Sequence, residues 1–306
     1  MILAPEMQTL VKVSAAVVGA MIGSFLNVCI HRLPRYSRSI VHPPSHCPVC
    51  GASIRPWDNI PILSFLLLWG KCRGCRSRIS WRYPLVEALT SAIFLGVTCL
   101  WLGNQHSFAR LANSGISVAE QIGVLVITFG FVGALLVATF VDLRYRIIPD
   151  EISLLGLCVA PLLCAAIPSM LHQLPSSEVV RNRHLAGFLG SLLGAIVGGG
   201  GIYFIGVVGK AIFGKEAMGF GDVKLLAMIG AFLGWGSALL TFLLACLVGA
   251  VLGGVSLLVT RDRYTPFGPY LALGALTVHL FYPSVVRFVF VTWPSLIREW
   301  MGVGAL

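Results

Sequence analysis

The sequence predicts an all-α, polytopic membrane protein of about eight transmembrane helices, with a small cysteine-bearing insert on the cytoplasmic side. Three observations carry that prediction. Of 306 residues, 57% are hydrophobic and only 11% charged, with mean hydropathy +0.88, whereas about a quarter of the residues of a soluble domain are charged. Apolar runs of membrane-spanning length recur along the chain. A basic block interrupts them between the first run and the second.

The runs lie near 9–30, 84–103, 122–141, 151–168, 185–209, 222–235, 237–259 and 268–284. The first, Val11 to Ile30, lacks a basic leading region and a small-x-small exit site, so it is read as a retained span rather than a cleaved signal. Past it, residues 31–83 hold nine basic residues (Arg32, Arg35, Arg38, Arg55, Lys71, Arg73, Arg76, Arg78 and Arg82) against the single acid Asp58. An excess of Lys and Arg in a loop between spans marks the cytoplasmic side. Alternation then puts 142–150, 210–222 and 260–267 on the same side, and these carry Arg144, Arg146, Lys210, Lys215, Arg261 and Arg263. Arg181 and Arg183 fall in an exterior loop, against the rule. The basic block adjoins spans directly, so its partner is the bilayer rather than nucleic acid. The stretch 284–306 mixes Trp293, Trp300, Arg287, Arg298 and Glu299 with apolar residues and suits either an interfacial helix or a ninth span. Gly198–Gly201, inside the fifth run, is read as a site of close helix approach. The chain thus divides into a first span (1–30), an insert (31–83) and a multi-span region (84–306).

Within the insert, Cys47-Pro-Val-Cys50 and Cys72-Arg-Gly-Cys75 form two Cys-x-x-Cys pairs separated by 21 residues. Two such knuckles bring four thiolates into a tetrahedron, the set that suits a structural Zn²⁺ and leaves no open position for chemistry. A reducing cytoplasm disfavours two disulfides instead. His42 and His46 are near enough to substitute as ligands, but with four cysteines present they are read as surface residues. Cys29, Cys99, Cys158, Cys164 and Cys246 lie in spans and behave as small apolar residues.

With only twelve acids in the chain, each can be weighed. Glu6, Glu120, Glu178, Glu299, Asp58 and Asp262 fall in loops or terminal segments, where solvation explains them. Asp150 and Glu151 follow Pro149 and open a helix, so capping and dipole complementarity are their default roles. Glu87 lies one turn into the second span and either pairs with Arg82 or reaches into a site. Asp142 and Asp222 differ from all of these. Asp142 ends one span and Asp222 begins another, on a Gly219-Phe-Gly221-Asp222 turn, both at the predicted cytoplasmic face. An ionisable group beside a membrane span is costly and marks a functional site by default. Two carboxylates within hydrogen-bond reach cannot both ionise; one keeps a proton and acts as general acid while the other activates water. That is aspartic-protease chemistry. Gly219 and Gly221 are read as permitting positive φ and the close approach of an extended polypeptide.

The ordered set of motifs resembles the type IV prepilin peptidases, the Gly-x-Gly-Asp membrane enzymes also called leader peptidase/N-methyltransferases of type IV pilus and type II secretion systems. Gly23-Ser-Phe-Leu-Asn27-Val28 with Arg32-Leu-Pro34, the two Cys-x-x-Cys pairs around Asn59-Ile-Pro61, Arg82-Tyr-Pro-Leu-Val-Glu87, Asp142 through Asp150, Glu216 through Lys224 and Pro266-Phe-Gly-Pro269 are similar in order and spacing. The resemblance implies a bifunctional enzyme of the bacterial inner membrane, with 84–306 as its aspartic protease domain. Such an enzyme cuts the basic leader from prepilins or pseudopilins at the cytoplasmic face and methylates the new N-terminal amine with S-adenosylmethionine. It also implies that Asp142 and Asp222 are catalytic and that Cys47, Cys50, Cys72 and Cys75 hold zinc. Glu216 and Glu151, with Gly219 and Gly221, are the expected substrate contacts. No glycine-rich nucleotide loop is present, so the methyl-transfer half rests on the resemblance. The alternatives are a presenilin-like protease without methyltransferase activity, whose Pro-Ala-Leu element is missing, and a proton-coupled transporter, which predicts acids deep in spans and internal repeats.

Overall fold

The computed structural model describes residues 4–34, 40–42, 44–103, 107–108, 111, 115–175, 179–214, 219–260 and 266–300. Lys215, Glu216, Arg261, Asp262, Arg263 and Glu178 therefore lie outside the described residues, as do Arg35 and Arg38. The chain is α-helical: α1 (Pro5–Arg32), α2 (Leu63–Leu67), α3 (Arg82–Leu102), α4 (Val118–Tyr145), α5 (Asp150–Ala166), α6 (Arg183–Phe213), α7 (Phe220–Leu233), α8 (Trp235–Thr260), α9 (Gly268–Arg287) and α10 (Trp293–Trp300). Among the described residues the only extended pairings are two isolated bridges, His46–Ser53 and Lys71–Arg78.

Each of the eight apolar runs forms a helix. Six of these helices, α1, α3, α4, α6, α8 and α9, are long and apolar enough to cross a membrane. The other two, α5 and α7, have 17 and 14 residues. In α7 every residue from Leu225 to Leu233 is buried. A helix enclosed on all sides meets protein rather than lipid, so bilayer thickness does not set its length. Beyond α9 a wide turn over Phe288–Thr292 leads into α10. At 1.5 Å per residue the eight residues of α10 reach about 12 Å, too short to cross ~30 Å of hydrocarbon alone.

Two compact units divide the chain: residues 1–103 with 128–149, and residues 104–127 with 150–306. In the first, α1 and α3 run antiparallel in close contact. Ala15, Gly19, Gly23 and Asn27, spaced four apart, form one buried stripe of α1. A Cβ on Gly23 would lie 2.7 Å from the Glu87 Cα, and one on Gly19 2.9 Å from the Ser91 Cα. Such small-residue stripes allow helix backbones to approach in lipid, where van der Waals packing replaces the hydrophobic effect. Polar groups close both ends of the contact: Ser91 Oγ donates to Ala16 O at 2.8 Å and Asn27 Nδ2 to Tyr83 O at 3.0 Å. Phe94 of α3 stacks on Phe129 of α4 with ring centroids 4.0 Å apart.

In the second unit α6 and α7 pack antiparallel. A Cβ on Gly194 would collide with the Gly230 carbonyl oxygen, and one on Gly230 with that of Gly194. Gly198 sits against Leu226 O and Gly199 against Ala227 Cβ, whereas Gly200 and Gly201 face open space. Close approach thus explains the first half of the four-glycine run. The Arg183 charge, expected in an exterior loop, is accounted for as well. Its Nη2 reaches Glu120 Oε1 at 3.0 Å, and Ser169 Oγ donates to the same oxygen at 2.6 Å. Glu120 is therefore engaged rather than merely solvated.

Candidate active site and metal centre

The two cysteine knuckles share one local fold. In the first, Cys47 N–H donates to Ala52 O at 2.9 Å and Gly51 N–H to Cys47 O at 2.9 Å; in the second, Cys72 N–H donates to Ser77 O at 2.8 Å and Arg76 N–H to Cys72 O at 3.0 Å. The residue after each second cysteine is left-handed, Gly51 at φ 71° and Arg76 at φ 58°. Glycine adopts that conformation freely; an L side chain does so at a cost. The four Sγ atoms lie within 4.8 Å of one another, with Cys47 and Cys75 3.8 Å apart. A tetrahedron with metal–sulfur bonds of about 2.3 Å has sulfur–sulfur edges of about 3.8 Å, and a disulfide would require about 2.05 Å. The set can therefore hold one metal ion with no open position. Backbone N–H groups of Cys50 and then Val49 pull the Cys47 thiol down to about 6, and the Ser77 hydroxyl, followed by its N–H, lowers Cys75. These two positions favour the thiolate, the form that binds metal, whereas Cys50, lowered by the Ala52 N–H but raised by the Cys75 and Cys47 thiols beside it, is pushed up to about 11. His42 and His46 are exposed and outside the group, as expected.

Asp58, expected to be solvated, instead grips Arg73 of the second knuckle. Arg73 Nη2 donates to Oδ1 at 2.6 Å and Nε to Oδ2 at 2.9 Å. The hydrogen-bonded guanidinium holds the Asp58 carboxyl below the usual carboxylate range. Glu87 is buried, and its Oε2 accepts the backbone N–H of Ile62 at 2.7 Å, a partner that its position in the sequence did not suggest. Ile62 is itself left-handed, at φ 62°. A β-branched residue is rarely found there, and the Glu87 bond helps to hold it.

Asp142 lies in the last turn of α4 and is 6% exposed, next to Val141 at 0%. It continues the buried stripe Phe131, Leu135, Ala138, whose three- and four-residue spacing places all of them on one helix face. The neighbouring Leu143 is 53% exposed. The helix closes on Arg146, left-handed at φ 57°, whose N–H donates to Asp142 O at 2.9 Å. This is the single-bond αL closure usually supplied by glycine. Asp142 belongs to the first unit and Asp222 to the second.

Asp222 sits in the first turn of α7, heading the buried stripe Leu225, Leu226, Ile229. Gly219 precedes the helix at φ −71° and ψ 142°, and Gly221 is helical. Neither is left-handed, so positive φ is not the reason for these glycines. At Gly219 a Cβ would come 3.4 Å from Asp222 Oδ2, an ordinary van der Waals contact, so the described residues leave room for a side chain there. Lys224, which carried no expected role, has its Nζ 4.9 Å above the Phe220 ring and bonds both carboxylate oxygens of Asp150 at 2.7 and 2.9 Å. Asp150 therefore ties the start of α5 to that of α7. The signal lay in a lysine two residues from the aspartate, but its partner is 74 residues away. Glu151 is exposed. Glu216 lies outside the described residues.

Comparison with known proteins covers both halves of the chain. Residues 17–101 match the Bacterial Peptidase A24 N-terminal domain and residues 129–254 the Type IV leader peptidase family. Proteins named prepilin leader peptidase/N-methyltransferase are similar over most of their length. That of Pseudomonas aeruginosa is 34% identical over 294 residues, 88% of this chain and 90% of its own. Those of Stutzerimonas stutzeri and Aeromonas hydrophila are 35% and 34% identical, covering 85% and 88% of this chain and 86% and 90% of theirs. No solved structure matches the chain. A relation of this extent, spanning the cysteine knuckles and both aspartate segments, identifies the chain as a member of the type IV leader peptidase family.

Proposed function

We propose that the protein is a bifunctional enzyme of the bacterial cytoplasmic membrane that removes the basic leader from type IV prepilins or pseudopilins and methylates the new N-terminus. The observation that carries this reading is the match to relatives named for both activities, extending across 88% of the chain. Asp142 and Asp222 act as one dyad at the cytoplasmic face. The ionised member takes a proton from water as the water oxygen attacks the scissile carbonyl carbon. The protonated member passes its proton to the departing amine nitrogen, the C–N bond breaks, and a leader carboxylate and a free amine result. The burial of Asp142 at the end of an apolar stripe supports this, because desolvation disfavours the ionised carboxylate and so favours a pair that shares one proton.

Gly219 and Gly221 admit the extended junction beside Asp222, and Glu216 and Glu151 hold Lys or Arg of the leader. The freed amine is then methylated, with S-adenosylmethionine supplying the methyl group; no residues of this chain are assigned to that half. Cys47, Cys50, Cys72 and Cys75 hold one Zn²⁺ as a structural ion. Incubating the purified protein with a pilin precursor and S-adenosylmethionine, followed by mass analysis of the precursor's N-terminus, tests the proposal. Loss of the leader and gain of one methyl group are expected. An intact precursor overturns the reading, and a cleaved but unmethylated one overturns its second half.

A further inference from the structure

We infer that α2 and the tryptophans beside it lie in the bilayer interface, seating the cysteine-bearing segment on an anionic lipid surface instead of holding it out in water. Leu63, Leu66 and Leu67 are 48%, 58% and 69% exposed, and their i, i+3, i+4 spacing puts them on one face of α2. The inward side is occupied: Ser64 donates to Trp57 O at 2.8 Å and accepts from Ile60 N–H at 3.1 Å, and Phe65 packs on Trp81 at 4.7 Å between ring centroids. Trp69, two residues past the end of α2, is 87% exposed, and Trp57 and Trp81 are also exposed. Such a density of exposed apolar side chains marks a surface with a partner, and tryptophan concentrates at membrane interfaces.

Depth decides which partner. No linker separates the segment from the membrane helix, because Trp81 immediately precedes Arg82, the first residue of α3. Ile62, the residue before α2, bonds the Glu87 carboxylate. Glu87 lies five residues into α3, about 7.5 Å along the axis, and helical side chains lean back toward the N-terminus. The Ile62 bond therefore falls within the first turn or so of the membrane helix. α2 is held at headgroup level, and Tyr83, Leu85 and Leu89 in the first two turns of α3 are exposed as well. Charge agrees with a lipid partner. Arg55, Lys71, Arg76, Arg78 and Arg82 are exposed, while Asp58, the only acid of the segment, is engaged by Arg73. A segment that exposes both basic and apolar side chains suits anionic headgroups and acyl chains.

The test uses the full chain in phosphatidylcholine/phosphatidylglycerol vesicles containing phosphatidylcholine brominated either near the headgroup or deep in the acyl chain. The difference in emission between the native protein and Trp69→Phe isolates Trp69. Blue-shifted emission is expected, quenched at least twofold more by shallow bromine than by deep bromine. A Leu66→Asp, Leu67→Asp variant with an unchanged unfolding midpoint should lose that quenching; if its midpoint falls, the native difference spectrum alone decides. Water-like Trp69 emission insensitive to both lipids overturns the inference. Shielding that appears only when a pilin precursor is added also overturns it and makes the face a protein-docking surface.

Discussion

The Glu87 carboxylate accepts the backbone N–H of Ile62 at 2.7 Å, joining a membrane helix to the loop that precedes α2 across 25 residues of sequence. The acceptor is buried and its donor is strained, so removal leaves an amide without its partner and a left-handed isoleucine without its restraint. Glu87→Ala should destabilise the first unit by about 1–3 kcal/mol. Glu87→Gln keeps an acceptor oxygen and should cost clearly less. Thermal unfolding of both variants measures the difference, and equal effects would show that the hydrogen bond is not what matters.

Asp142→Asn and Asp222→Asn should each lower precursor cleavage by about 10²–10⁴-fold or more, the contribution of a positioned acid or base, while the protein still inserts and unfolds at the native temperature. If the two act as the proposed dyad, the double variant should be no worse than either single one. Substantial cleavage by a single variant would remove the dyad from the mechanism.

The Asp150–Lys224 pair makes a different prediction from helix capping. Asp150 is 49% exposed on its side chain and Lys224 21%, so solvent screens the pair, and its coupling energy in a double-mutant cycle of Asp150→Asn with Lys224→Gln should be about 0.2–1 kcal/mol, falling as salt rises. A cap would survive Asp150→Asn, because Asn caps as well as Asp, and would show instead as a loss on Asp150→Ala that is independent of Lys224; that outcome would return Asp150 to its default role.

Metal analysis should find about one Zn²⁺ per chain, and Cys72→Ser or chelation should unfold the knuckles without acting directly on the chemistry. Arg76→Gly offers a second reading of the same site. By placing glycine in the left-handed position that Gly51 fills in the other knuckle, it should raise the temperature of metal release, by relief of roughly 0.5–1 kcal/mol of strain. Equal stability of metal-free and metal-loaded protein would exclude a structural ion.

Within the four-glycine helix, position should decide the sign. Gly194→Ala drives a methyl group into the Gly230 carbonyl and should destabilise the second unit by about 1–3 kcal/mol. Gly200→Ala meets nothing within 4 Å and should be neutral or stabilising by up to about 1 kcal/mol. Unfolding in detergent of the two single variants checks the contrast.

The sequence by itself determined the fold class, the eight apolar helices, the cysteine knuckles and the position of each aspartate at a helix end. All of these depend on residues close together in the chain: runs of apolar side chains, two residues between cysteines, a carboxylate beside a glycine turn. Even the burial of Asp142 was legible in principle, since Phe131, Leu135, Ala138 and Asp142 share one helix face. Only the tertiary structure decided which partner each remaining polar group takes. Asp58 was expected in solvent and holds Arg73, Glu120 answers the misplaced charge of Arg183, Glu87 reaches Ile62, and Asp150 holds Lys224. The same holds for which glycines meet a neighbouring backbone, Gly194 against Gly230 and not Gly200 or Gly201. These pairings join segments 15 to 74 residues apart, and local propensity carries no information about them: they are set by how the helices pack, which fixes the few polar groups that can be satisfied away from water.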